Sequence, residues 1–181
     1  HRPMKKLWIA LAALVIAGVA AWFLFFRVDT AALLLDCIPA RPKEAAALPA
    51  LVEHLDNAEQ DIRKTGNKEG LAELSKLYHA NGFFAEASQC YATLMELDPS
   101  NAQWPHLAAT ILSGYGQLEE AIPLEQRSIK LDPSYVPSRI RLGDMLLKLN
   151  RIAEAEQAYA AVLKDDSEQA YALTGQARVE I

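Results

Sequence analysis

A period of 34 residues limits the folds open to this chain more than any other feature of its sequence. Met-Glu-Leu-Asp-Pro-Ser at 95–100 returns as Ile-Lys-Leu-Asp-Pro-Ser at 129–134, so Pro99 and Pro133 lie 34 residues apart. A degenerate copy, Leu-Lys-Asp-Asp-Ser, follows at 163–167. Self-similarity at a fixed period of this length is typical of stacked helical units, each of which buries its apolar face on its neighbours.

Each period contains two segments in which apolar residues recur at helical spacing. A residue that tolerates a left-handed backbone separates the two segments in every period. These turn residues are Asn81 with Gly82, Gly116, and Asn150. Small residues recur where the two helices of a pair would touch: Ser75, Ala109 and Gly143 on the first helix, and Ala87, Ala121 and Ala155 on the second. The pattern therefore predicts closely packed, antiparallel helix pairs.

This pattern closely resembles the tetratricopeptide-repeat (TPR) family, whose unit is a helix–turn–helix of 34 residues. The resemblance implies an all-α fold, a right-handed TPR superhelix of antiparallel helix pairs. It places three repeats at 68–101, 102–135 and 136–169, and the first helix of an incomplete fourth repeat at 170–181.

The second repeat departs from the family pattern. Pro105 stands where a large apolar residue is usual, Glu125 where a large aromatic residue is usual, and Ser128 where a small apolar residue is usual. Arg139 in the third repeat also occupies a usually apolar position. We therefore expect the second repeat to be the least tightly packed.

The resemblance also implies a binding surface, because the first helix of each TPR lines a concave groove in which protein or peptide partners dock. The groove positions carried over to this chain are Lys76, His79, Gln103, His106, Thr110, Ser113, Arg141, Asp144 and Lys148. Some TPRs hold the C-terminal carboxylate of a peptide with a Lys and Asn pair. Neither Ala72 with Lys76 nor His106 with Thr110 reproduces that pair, so a clamp for chaperone tails is not expected.

No residue pattern points to catalysis, a cofactor or a metal, and we expect a protein that is not an enzyme. The histidines show neither HxxxH nor HExxH spacing, and the two cysteines form no CxxC pair. A disulfide between Cys37 and Cys90 stays open for an oxidising compartment. Positions 28–181 hold 14 basic and 23 acidic residues, a balance that argues against binding nucleic acid.

Residues 7–26 are uncharged and almost wholly apolar. A helix of that length spans about 30 Å, the hydrocarbon thickness of a bilayer, so a transmembrane helix in contact with lipid is predicted. Lys5 and Lys6 precede it, and the positive-inside bias predicts that residues 1–6 are cytoplasmic. The predicted location is the inner (cytoplasmic) membrane, single-pass, with the repeats facing the periplasm or the outside.

A cleaved signal peptide is the competing interpretation, because Val19-Ala20-Ala21 is an acceptable cleavage site. Against it, the bulky apolar residues 22–26 continue directly past that point.

Residues 27–47 are predicted to form a stalk, because Pro39 and Pro42 interrupt any helix there. Residues 48–66 are predicted to form a helix that packs against the repeats, since their apolar residues fall on one face.

Together these features predict a membrane-tethered TPR scaffold that mediates protein–protein interactions in envelope assembly, secretion or maturation complexes. Two alternatives stay open. The chain could be a regulatory or targeting segment of a larger enzyme that continues past residue 181, or a structural scaffold that self-associates through its C-terminal helix.

Overall fold

A computed structural model describes residues 14–22 and 34–179. The chain divides into two compact units, His1–Leu74 and Ser75–Ile181. All regular secondary structure in the described residues is helical. Besides helical residues at 14–22 and 34–36, it comprises a 3-10 helix, Lys43–Ala47, and the α-helices α1 (Pro49–Thr65), α2 (Lys68–Ala80), α3 (Phe84–Leu97), α4 (Gln103–Gly114), α5 (Leu118–Leu131), α6 (Val136–Lys148), α7 (Ile152–Asp165) and α8 (Ala170–Val179). The prediction of an all-α fold built from repeated helix pairs is confirmed.

Helix α1 dominates the described part of the first unit. Its first residue is Pro49, whose missing N–H is tolerated there, and it ends at Gly66, which adopts a left-handed conformation with φ 59°. The guanidinium of Arg41 contacts the carboxylates of Asp56 at 2.8 Å and Glu59 at 2.6 Å. These ion pairs fasten the segment that precedes α1 to its polar side, opposite the buried apolar residues Leu51, Leu55, Ala58 and Ile62.

Three turns of the same type each connect the two helices of one pair in the second unit. Gly82, Gly116 and Asn150 each have positive φ, at 81°, 78° and 58°. The next residue in each turn donates its N–H to a carbonyl five positions earlier, at 3.0, 3.0 and 2.9 Å; the pairs are Phe83 with Tyr78, Gln117 with Leu112, and Arg151 with Leu146. This hydrogen bond defines the Schellman motif, which stops a helix and lets the chain reverse.

Small residues allow the helices of the second unit to approach closely. Ala87, Ala121 and Ala155 are fully buried. The ring of Tyr159 lies against Gly143, where an added Cβ would come within 2.6 Å of the ring, and the same ring also contacts Gly175. Tyr159 therefore packs α7 against α6 on one side and α8 on the other.

The predicted transmembrane helix at residues 7–26 is wrong, as is the predicted single-pass location in the inner membrane. Across residues 14–22 and 34–179, no helix combines the length and the apolar composition that a bilayer crossing requires. Within the predicted segment, residues 14–22 are helical.

The remaining positions of that segment lie outside the described residues, as do the predicted cytoplasmic N-terminus, part of the predicted stalk and the last two residues of the predicted fourth repeat. These ranges are 1–13, 23–33 and 180–181. Neither of the described cysteines, Cys37 and Cys90, forms a disulfide.

Candidate protein-binding groove

A pocket of about 500 Å³ lies between the first helices of successive pairs, α4, α6 and α8. Its walls are His106 from α4, five residues of α6, and Gln169 and Tyr171 at the start of α8. The α6 residues are Val136, Pro137, Ile140, Arg141 and Asp144. The pocket brings together three of the predicted groove residues, His106, Arg141 and Asp144.

His106 forms the inner wall of this pocket and is held by a buried carboxylate. Its Nδ1 lies 3.1 Å from Oε1 and 3.0 Å from Oε2 of Glu125, whose side chain is fully buried. The edge of the Tyr135 ring packs against the imidazole, with centroids 5.4 Å apart. The ring of His106 is therefore fixed from two directions.

Glu125 belongs to a small buried network of polar side chains. The hydroxyl of Ser128 donates to the carbonyl of Ala102 at 2.7 Å and lies 2.6 Å from the hydroxyl of Ser138. Burial raises the pKa of Glu125, and the hydrogen bonds from His106 and Ser138 oppose that shift. The polar residues that depart from the family pattern in the second repeat, Glu125 and Ser128, are thus both hydrogen-bonded.

The two charged α6 residues of the pocket, Asp144 and Arg141, differ in whether an oppositely charged side chain pairs with them. Oδ1 of Asp144 accepts a hydrogen bond from the Tyr159 hydroxyl at 2.8 Å and lies 3.2 Å from the Arg178 guanidinium. Arg141 is exposed and forms no ion pair with any carboxylate in the described part of the chain. Its positive charge acts at longer range on the buried Glu125, where with His106 it opposes the rise that burial causes in the pKa.

A second cluster, which we call the aromatic cluster, contains His79, Phe84, Tyr91, Trp104 and Tyr115. Nδ1 of His79 lies 3.0 Å from the Tyr91 hydroxyl, and Trp104 stacks on Tyr91 with centroids 6.5 Å apart. Tyr115 packs edge-on against Phe84 and remains 66 % exposed.

Burial lowers the pKa of His79, and repulsion from His106 lowers it further. Burial also raises the pKa of Tyr91 to about 12. Lys76 extends over the Trp104 ring, with Nζ 5.9 Å from the centroid, a geometry in which the cation and the ring attract each other. Of the predicted groove residues, Lys76 and His79 therefore lie at the aromatic cluster.

Four predicted groove residues line neither the 500 Å³ pocket nor the aromatic cluster. Gln103 is exposed at the start of α4, and Lys148 is exposed at the end of α6. Thr110 donates its hydroxyl to the carbonyl of Leu107 at 2.7 Å, and Ser113 is half-buried one turn later.

Sequence reasoning missed the α8 side of the pocket and the partner of His106. Tyr171 belongs to a fourth first helix and Gln169 directly precedes it, and no groove position had been carried over from either. Glu125 was recognised as a departure from the family pattern, and that polar residue at an apolar position was the signal available. Its contact with His106, 19 residues earlier, depends on how α4 and α5 cross.

Comparisons with known proteins agree with this geometry. Residues 112–179 match the family model described as tetratricopeptide repeat. The rat protein DnaJ homolog subfamily C member 3 is 33 % identical over 94 residues, which are 52 % of this chain and 19 % of that protein. The chain thus spans about a fifth of the length of this curated relative.

Two solved structures show the same fold. The crystal structure of MamA protein has a TM-score of 0.65 at 17 % identity, covering 83 % of this chain and 81 % of MamA. The first TPR of Spaghetti (RPAP3), bound to the HSP90 peptide SRMEEVD, has a TM-score of 0.59 at 24 % identity, covering 62 % of this chain and 92 % of that one. The family match over residues 112–179 and the helix pairs described above together show that this part of the chain resembles the tetratricopeptide repeat family.

Proposed function

We propose that this chain is a non-enzymatic protein-interaction module that binds an extended segment of a partner protein in the pocket between α4, α6 and α8. The observation that carries the proposal is that Arg141, which forms no ion pair with a described carboxylate, lines a 500 Å³ pocket together with apolar residues such as Val136 and Ile140. Such a combination of apolar lining with a few placed polar groups is typical of ligand sites.

The shape of the site favours a peptide over a compact metabolite. The pocket is lined by residues from three successive first helices or the residue just before one of them, and α4 and α6 also carry the exposed polar residues Gln103 and Lys148 outside it. Successive first helices in helical repeat proteins form extended concave surfaces that suit extended ligands. We infer that the chain performs this binding function in an assembly, secretion or maturation complex.

Site-specific photo-cross-linking tests this function. A photoreactive amino acid replaces Ile140, inside the pocket, or Glu156, which is exposed on α7 and does not line the pocket. We expect partner proteins to be cross-linked from position 140 and not from position 156. Equal labelling from both positions, or none from position 140, contradicts the proposal.

A second measurement checks the pocket itself. Replacing Ile140 with Asp introduces a charge among Val136, Pro137 and Tyr171 and is expected to abolish the cross-linked product when the reactive group is moved to position 171. The matched control, Glu156→Lys, changes charge on α7 and should leave the product unchanged.

Self-association through α8 is a second candidate, favoured by the exposure of two apolar side chains on that helix. Tyr171 is 74 % exposed and Leu173 is 47 % exposed. Light scattering over a range of concentrations tests this candidate, and Leu173→Ser should shift the distribution toward the monomer. A wild-type chain that stays monomeric at every concentration would exclude it.

A further inference from the structure

His106 presents one particular atom to the pocket. Its Nδ1 is occupied, because both carboxylate oxygens of Glu125 lie within 3.1 Å of it. The polar atom that the ring can offer to a ligand is therefore Nε2.

The buried partner decides whether Nε2 donates or accepts. Glu125 is fully buried, so an uncompensated negative charge there is costly and the net-neutral states of the pair are favoured. In one such state an imidazolium faces a carboxylate, and both ring nitrogens carry hydrogen. In the other, a carboxylic acid donates to Nδ1, and the hydrogen of the neutral ring lies on Nε2. In both states His106 offers an N–H donor to the pocket.

A second donor stands on the next first helix. Arg141 lines the same pocket, and its guanidinium forms no ion pair with a described carboxylate. The nearby acid Asp144 is already engaged by Tyr159 and Arg178. The negative charge of Asp144 in this pocket is thus already offset by Arg178, and Val136, Ile140 and Tyr171 add apolar surface to the lining.

We propose that this pocket binds the side-chain carboxylate of an Asp or Glu in an extended peptide, with Nε2–H of His106 and the guanidinium of Arg141 as donors, and with an apolar neighbouring side chain packed on Ile140 and Tyr171. The inference rests on the proposed function and specifies its ligand. Glu125 is a positioning residue, since it acts through His106. A volume of 500 Å³ accommodates two adjacent side chains of a peptide.

A peptide library with both ends chemically blocked tests the ligand class. Short random peptides, acetylated and amidated, are passed over the immobilised protein, and the bound fraction is sequenced. We expect enrichment of Asp or Glu next to an apolar residue, with no enrichment of Asn or Gln. Binding without acid enrichment overturns this inference and leaves the proposed function standing, whereas no binding by blocked or unblocked peptides contradicts both. Binding by the unblocked library alone assigns the pocket to a terminal carboxylate and also overturns the inference.

Matched variants then locate the carboxylate. The best acidic peptide and its amide counterpart are compared by fluorescence anisotropy, and we expect the acidic form to bind about tenfold more tightly, since its hydrogen bonds are charge-assisted. Arg141→Gln should remove most of that preference, whereas Lys148→Gln, an exposed α6 cation outside the pocket, should preserve it. An unchanged preference in Arg141→Gln contradicts the assignment.

The role of His106 needs a variant that does not leave a buried acid unpaired. The double variant His106→Phe/Glu125→Leu removes the polar pair together and should also lower the preference for the acidic peptide. In the wild-type protein, long-range ¹H–¹⁵N spectra report directly whether Nε2 carries hydrogen. We expect a protonated Nε2 at neutral pH whose resonance shifts when the acidic peptide is added. An Nε2 without hydrogen, or a resonance that does not shift when the peptide is added, would overturn the role of His106.

Discussion

Glu125 shows how a single residue can depart from a repeat pattern without leaving a gap. An aromatic ring is usual at this position, and a carboxylate there is stable only because His106 and Ser138 lie within hydrogen-bonding reach. The sequence shows that Glu125 departs from the family pattern, but it does not show which side chains form hydrogen bonds with the carboxylate. A contact between residues on different helices depends on crossing geometry, which periodicity does not contain.

The raised pKa of Glu125 leads to a prediction about pH. Because burial raises this pKa above its ordinary value of 4.5, the native state holds a proton that the unfolded state has already released. The stabilisation is complete below the unfolded pKa and is lost as the pH rises through the native pKa. Urea titrations at several pH values should show the free energy of unfolding of the wild type falling across this window relative to Glu125→Gln, by about 1.4 kcal/mol per unit of pKa difference. A wild type that gains stability relative to Glu125→Gln as the pH rises would contradict this sign.

The contact between Gly143 and the Tyr159 ring supports a second prediction. A Cβ at position 143 would lie 2.6 Å from the ring, so Gly143→Ala should overpack α6 against α7 and lower the free energy of unfolding by about 1–3 kcal/mol. Gly114→Ala is the matched control, because nothing lies within 4 Å of its Cβ position. Thermal denaturation should separate the two variants, and similar stabilities would show that the ring can move aside.

At the scale of elements, the turns between helices were the most predictable part of the structure. Gly82, Gly116 and Asn150 were identified from residue type and spacing, and all three have positive φ. This succeeded because a left-handed backbone requirement is local and selects few residue types. The composition of the pocket was less predictable, because Tyr171 on α8 and Gln169 just before it line the pocket only as a result of where that helix packs.

Equivalent positions in two of these turns should respond differently to substitution. Gly116→Ala places a Cβ at φ 78° and should cost about 1 kcal/mol, whereas Asn150→Gly relieves the same restriction at φ 58° and should be close to neutral. Chemical denaturation of both variants provides the measurement. A stable Gly116→Ala protein would mean that the turn can adopt another conformation.

At the scale of the whole molecule, the repeat period and the all-α class were readable from sequence, and the membrane segment was not. Periodicity constrains helix packing directly, since small residues must recur wherever helices approach. An apolar run of residues 7–26 shows only that these residues avoid water. It does not determine a continuous helix of the length that a bilayer demands, and the described residues contain none.

One substitution made in three repeats tests the packing of the whole array. Ala87, Ala121 and Ala155 are fully buried at equivalent positions, so replacement of each by Leu should destabilise the protein by about 1–3 kcal/mol. Ala92→Leu and Ala160→Leu, at exposed positions on α3 and α7, serve as controls and should change stability by less than about 0.5 kcal/mol. Neutral results at all three buried positions would show that the repeats are packed in a different register.

The ring of Tyr159 also has an evolutionary consequence. It occupies space that Gly143 and Gly175 leave open on two different helices, so these three positions form one steric unit. In related chains they are expected to change together: a smaller residue at 159 would permit a side chain at 143 or 175, and a large ring would forbid both. Which substitutions are tolerated at any one of these positions therefore depends on the residues already present at the other two.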